Sequence, residues 1–168
     1  TAFPYNSGAG STCVVACSGN TPYLDASTNT CVPTCSQSMY IDPITKTCVA
    51  KCPASTYIDP IKRTCVATCP TSTLVDLSTQ TCVSKCPTTA SVNNNGTCAS
   101  SCPVSSYLNT STNSCVTSCP TNLPYMNGNT CVVACPKEKP YLDGNKCVGI
   151  CPASAPNVNG TVCVATCP

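Results

Sequence analysis

The chain has 168 residues, twenty of them cysteine, with no histidine or tryptophan, one phenylalanine and a formal charge of +2. Without histidine and with Glu138 as its single glutamate, it lacks the usual acid–base and nucleophile-activating groups, so an enzyme is not expected. Eight scattered Lys/Arg form no basic stripe for a phosphate backbone, and a dense, even cysteine set points to an oxidising, extracellular or cell-surface location.

No apolar run is long enough for a membrane span, and the opening residues carry no signal-peptide pattern, as expected of a mature secreted chain. From the N-terminus, cysteines fall at 13/17, 31/35, 48/52, 65/69, 82/86, 98/102, 115/119, 131/135, 147/151 and 163/167, ten Cys-x3-Cys pairs spaced 16 to 18 residues apart. Such periodicity marks a repeat architecture. Valine follows the first cysteine in nine pairs, with Ala99 in the other, and proline follows the second in eight. Five or six residues further on comes Tyr23, Tyr40, Tyr57, Tyr107, Tyr125 or Tyr141, with Leu74, Ser91 and Asn157 in the remaining copies. Two residues later stands an Asx ladder: Asp25, Asp42, Asp59, Asp76, Asn93, Asn109, Asn127, Asp143 and Asn159.

Each copy reads as a β-hairpin. Asn127-Gly128, Asp143-Gly144 and Asn159-Gly160 are type I′ signals, which set Tyr125 opposite Thr130 and Tyr141 opposite Lys146. In the longer copies, Asp42-Pro43-Ile44-Thr45 and Asp59-Pro60-Ile61-Lys62 suit type I turns, which set Tyr40 opposite Thr47 and Tyr57 opposite Thr64. Loops of two and four residues keep the same side chains on each face. The copy around Asn93-Asn94-Asn95-Gly96 breaks this parity and is expected to have an irregular loop. An isolated sixteen-residue hairpin buries too little to stand alone, so stapling and stacking on neighbours are required. The predicted fold is all-β, small and disulfide-rich: a rod or solenoid of about ten stapled two-stranded hairpins of 16–18 residues, without a central core.

Twenty cysteines allow roughly 6.5 × 10^8 pairings before the repeat is considered. An extended Cys-Val-x-x-Cys run separates its Cα atoms by about 13 Å, beyond the roughly 7 Å that a disulfide spans. The simplest uniform scheme joins each second cysteine to the first of the next pair: Cys17–Cys31, Cys35–Cys48, Cys52–Cys65, Cys69–Cys82, Cys86–Cys98, Cys102–Cys115, Cys119–Cys131, Cys135–Cys147 and Cys151–Cys163. Overlapping pairs such as Cys13–Cys31 with Cys17–Cys35 are a rival, but imply a two-repeat alternation that the sequence does not show. Bonding within Cys-x3-Cys is another, and needs a helical turn. The uniform scheme leaves Cys13 and Cys167 unpaired, as an inter-protomer or chain-continuation disulfide.

The ends Cys167-Pro168 and Thr1-Ala2-Phe3-Pro4-Tyr5, joined, resemble the interior run Cys119-Pro120-Thr121-Asn122-Leu123-Pro124-Tyr125. Residues 1–168 are thus expected to form a single tandem-repeat array, with 1–13 and 167–168 as two halves of one split repeat.

The run Cys48-Val49-Ala50-Lys51-Cys52-Pro53 followed by Tyr57-Ile58-Asp59 resembles half of a furin-like, growth-factor-receptor-type cysteine-rich repeat, and the tandem cysteine-rich repeats of protist surface proteins. The resemblance covers essentially the whole chain, although the extra cysteines of two-disulfide modules are missing. It implies closure of the Cys-Pro cysteine onto the next one, and service as a spacer, receptor ectodomain or surface coat.

Turn chemistry explains the Asx ladder without acid–base work, and four asparagines among nine do not suit a calcium ladder. Fixed Tyr, Val and Pro offsets speak against a zinc-thiolate store, and ten near-equal loops against a protease inhibitor. No metal or cofactor is expected. Three sequons, at Asn95, Asn109 and Asn159, fall at or beside hairpin tips and are expected to carry N-linked glycans. The expected role is a structural segment of an extracellular glycosylated fibre or appendage, partnered by copies of itself head to tail and by no nucleic acid. The alternative is a stalk or ligand-binding ectodomain fragment.

Overall fold

The computed structural model of the chain describes residues 5–8 and 12–167. Thr1–Pro4 and Pro168, on which the split-repeat reading partly rests, lie outside the described residues. Two compact units divide the chain, Thr1–Lys85 and Cys86–Pro168.

In the first unit, hairpins form from Tyr5–Asn6 (β1) with Cys13–Val14 (β2), and Tyr23–Asp25 (β3) with Thr30–Val32 (β4). Tyr40–Asp42 (β5) pairs with Thr47–Val49 (β6), Tyr57–Asp59 (β7) with Thr64–Val66 (β8), and Leu74–Asp76 (β9) with Thr81–Val83 (β10). In the second unit a short 3-10 turn, Thr88–Ala90, precedes Val92–Asn94 (β11), which pairs with Thr97–Ala99 (β12). Tyr107–Asn109 (β13) pairs with Ser114–Val116 (β14), and Tyr125–Asn127 (β15) with Thr130–Val132 (β16). Tyr141–Asp143 (β17) pairs with Lys146–Val148 (β18), and Asn157–Asn159 (β19) with Val162–Val164 (β20). The fold is all-β, built of tandem hairpins, nine of them stapled by a disulfide.

The register differs from the sequence expectation by two residues. Tyr40 faces Val49 rather than Thr47, Tyr57 faces Val66 rather than Thr64, Tyr125 faces Val132 rather than Thr130, and Tyr141 faces Val148 rather than Lys146. The Asx residue completes the last ladder pair instead of opening the loop: Asp42 faces Thr47 and Asn127 faces Thr130. In the short copies the loop is therefore Gly128-Asn129, with positive φ (60°) at Gly128 and not at Asn129. That is the type II′ requirement, which needs glycine only at the first position. Two- and four-residue loops still keep the same side chains in opposition.

The loop expected to be irregular is regular. Val92, not Ser91, faces Ala99, and Asn94, not Asn93, faces Thr97, so Asn95-Gly96 is a two-residue loop with both φ positive, 48° and 85°. This is the type I′ turn that Asn-Gly accommodates with little strain, and the register buries Val92 where Ser91 would otherwise sit.

Between hairpins, the first strand of one runs parallel to the second strand of the next: β3 with β6, β5 with β8, β7 with β10, and likewise β11 with β14 through β17 with β20. Combined with antiparallel pairing inside each hairpin, this points successive tips to opposite edges of the sheet. Bridge partners share a face, and Ile41 of β5 bridges Thr64 of β8. Successive hairpins are therefore also turned over. The chain between β4 and β5, residues 33–39, must cross the sheet from edge to edge, and Cys35 within it bonds Cys48 in the middle of β6. Each staple fastens a crossing segment to the sheet. Buried apolar residues are almost all cysteines, among them Cys31, Cys65, Cys82 and Cys131, with Val92 and Leu123. Except at the half-buried Cys102–Cys115, a buried disulfide cysteine forms the small core of each stapled hairpin.

Candidate functional site

The repeated chemistry of this chain is the junction between hairpins. An antiparallel ladder alternates its pairs, so the second residue of each first strand directs its N–H outward. In the first unit those amides belong to Asn6, Leu24, Ile41 and Ile58, donating to the carbonyls of Asn29, Lys46, Arg63 and Gln80 at 2.7–2.9 Å. In the second they belong to Asn93, Leu108, Met126 and Leu142, donating to Asn113, Asn129, Asn145 and Thr161 at 2.7–2.8 Å. The acceptor is always the last residue of the neighbour's loop. In four-residue loops it is held left-handed: Asn29, Lys46, Arg63, Gln80 and Asn113 have φ of 51–55°.

Sequence reasoning did not single out these acceptors. Asn29 and Asn113 carry a weak signal, because asparagine tolerates that conformation, but Lys46, Arg63 and Gln80 carry none. Two side chains extend the junction. Arg63 Nη2 donates to Ser36 O (2.5 Å) and Met39 O (2.8 Å), and Asn113 Nδ2 donates to Ser91 O (3.3 Å).

The nine disulfides run Cys17–Cys31, Cys35–Cys48, Cys52–Cys65, Cys69–Cys82, Cys86–Cys98, Cys102–Cys115, Cys119–Cys131, Cys135–Cys147 and Cys151–Cys163, with Cα separations of 5.3–5.5 Å. This is the uniform scheme. The Cys-Val-x-x-Cys run is not fully extended, since the strand ends at valine and the next two residues bend, as at Val15-Ala16. Cys13 and Cys167 are free and exposed. Nine disulfides place the chain in an oxidising environment.

In the four-residue loops the Asx residues Asp25, Asp42, Asp59, Asp76 and Asn109 cap their own loops. Asp42 Oδ1 accepts from Ile44 N (3.0 Å), and Oδ2 from Thr45 Oγ1 (2.7 Å). Asp59, only 2 % exposed, accepts from Ile61 N (3.0 Å) and Lys62 N (3.1 Å). Asn109 does the same for Ser111 N (3.0 Å). Among the described residues their partners lie in the same loop, as turn chemistry requires. Among the described residues no cluster of three or more His, Cys, Asp or Glu is arranged to hold a metal.

Hydrogen bonds from the Ser78 hydroxyl, the Thr79 hydroxyl and the two backbone amides hold the Asp76 carboxyl below its ordinary value, against the opposing effect of burial. The Ser27 hydroxyl and amide, with a smaller contribution from the Thr28 amide, lower Asp25 in the same way. A carboxyl with a depressed folded-state pKa stabilises the fold fully above its unfolded pKa of about 4, and that contribution disappears as pH falls through the folded value. The thermal midpoint is therefore expected to be flat above about pH 5 and to fall in acid below about pH 4. In Asp76→Asn the acid decline is shallower, which a pH series of thermal melts measures; an unchanged decline would remove Asp76 from this account.

Of the three sequons, Asn95 and Asn159 are exposed, whereas Asn109 is buried, 8 % exposed. No helix among the described residues is long and apolar enough to cross a membrane. Comparison with protein-family models, curated proteins and solved structures finds no match for this chain.

Proposed function

We propose that the chain is a structural segment of an extracellular, glycosylated fibre or surface appendage that propagates head to tail. The observation that carries this reading is the junction itself, made four times in each unit among the described residues with one hydrogen-bond pattern at 2.7–2.9 Å. A contact that joins unlike surfaces and does not close on itself generates an open filament.

The free thiols suit the same pattern. Cys167 holds the place from which nine other cysteines bond the next hairpin, and Cys13 the place at which nine others receive that bond. The next hairpin belongs either to the same polypeptide or to a second copy linked through Cys167 and Cys13. The reading assigns the chain no catalytic role, and the likeness of its Cys-Val-x-x-Cys-Pro runs to cysteine-rich spacers accords with it.

Electrophoresis of the purified material, with and without reductant, tests it. Polymeric species without reductant are expected in either version. Their collapse to single chains on reduction identifies the intermolecular disulfide, and their persistence a continuous polypeptide. Monomers with two titratable thiols and no filaments by electron microscopy would overturn the proposal.

A further inference from the structure

The three sequons are not equivalent once folded. In the second unit, strand directions alternate so that the hairpins β11–β12, β15–β16 and β19–β20 turn their tips to one edge of the sheet, and β13–β14 and β17–β18 to the other. Asn95, in the β11–β12 tip, and Asn159, beside the β19–β20 tip, thus share an edge. They stand eight strand spacings apart, about 38 Å along the hydrogen-bonding direction. Both residues are exposed, and among the described residues neither carboxamide is engaged in a hydrogen bond.

Asn109 lies toward the opposite edge and is 8 % exposed. Its Oδ1 accepts from Ser111 N of its own four-residue loop. It bridges Cys131, so its side chain shares a face with the Cys119–Cys131 staple, whose Cys131 is 0 % exposed. A sugar on Asn109 Nδ2 competes for that space. Short-loop hairpins leave this position more open: with the next hairpin bonded alongside, Asn127 is half-buried and Asp143 exposed, and neither is buried as Asn109 is. Asn159 accordingly stays accessible when a further hairpin is joined beside it.

We propose that N-linked glycans are carried at Asn95 and Asn159 and not at Asn109, so that sugars line one edge of the second unit and leave the other bare. The inference rests on the reading of the chain as an extracellular glycoprotein. In the transfer step, Asn Nδ2 forms a bond to the anomeric carbon of an oligosaccharide carried on a lipid pyrophosphate. Nδ2 loses a proton, the sugar–phosphate C–O bond breaks, and the lipid pyrophosphate leaves.

The test is glycopeptide mapping of the full chain, secreted with all nine disulfides, after enzymatic deglycosylation in ¹⁸O water. Label at Asn95 and Asn159 with none at Asn109 is expected. Asn109→Asp destroys the sequon and installs the carboxylate that Asp42, Asp59 and Asp76 use as a loop cap, so it is expected to be secreted with an unchanged glycoform mass. Label at Asn109, or a variant lighter by one glycan, would overturn the one-edge arrangement while leaving the glycoprotein reading intact. An absence of label at either Asn95 or Asn159 would also overturn it. An absence at all three would remove glycosylation from the proposed function as well, with the filament judged separately by electrophoresis.

Discussion

Replacing Cys52 and Cys65 together by serine is expected to destabilise the Tyr57–Val66 hairpin by about 3 kcal/mol, the chain-entropy cost of releasing a loop of this length. Among the described residues, Val92 and Leu123 are the buried apolar side chains besides cysteine, and both lie in the other unit, so little compensates. Cys52 and Cys65 are themselves among the few buried apolar residues, at 5 % and 2 % exposure. The two serines also leave hydroxyls where sulfur was buried, adding a desolvation cost. Because repeats interact through their neighbours, the loss is expected to be local rather than global. Hydrogen exchange reads this directly. The Ile41 amide, bonded to Arg63 O at 2.9 Å, and the Ile58 amide, bonded to Gln80 O at 2.7 Å, are expected to lose protection. The Leu108 and Met126 amides of the second unit are expected to keep it. Uniform loss of protection throughout the chain would show that the staples stabilise one cooperative body instead of separate repeats.

Asp59→Ala is expected to cost about 2 kcal/mol, among the larger effects available to a single non-cysteine substitution here. The side chain is 2 % exposed, and its Oδ1 satisfies two loop amides, Ile61 N and Lys62 N. Alanine removes both bonds and leaves a gap where the carboxylate packs. Asp59→Asn retains the accepting oxygen and is expected to cost well under half as much, because Asn109 caps its loop in the same way. Denaturant melts of the two variants check the order. Equal losses would mean that negative charge, rather than loop capping, is what the position supplies.

The cysteine period made the hairpins, their number and the uniform pairing legible, because a staple of fixed length permits few alternatives once the repeat is seen. The fixed Asx position likewise pointed to a capped loop. Register was less legible. Asp42 and Asn127 can end a strand or open a loop with the same composition, and only the pairing Asp42–Thr47 and Asn127–Thr130 distinguishes the two. Asn95-Gly96 is obscured for the opposite reason: counting from Ser91 rather than Val92 hides a well-formed type I′ turn. The alternation of hairpins was not legible at all. A repeat turned over has the same sequence as one that is not, so a one-hairpin period in cysteines conceals a two-hairpin period in space. The junction acceptors stayed hidden too, since a left-handed Lys46 or Arg63 carries no mark in composition.

Fibre diffraction from aligned material tests most directly whether one junction, repeated, builds a filament. Strands stacked across the axis predict an axial reflection at about 4.8 Å, and inverted neighbours predict layer lines at about 19 Å, four strand spacings, rather than 10 Å. A pattern without the axial 4.8 Å reflection, or with strands along the fibre, would contradict the account.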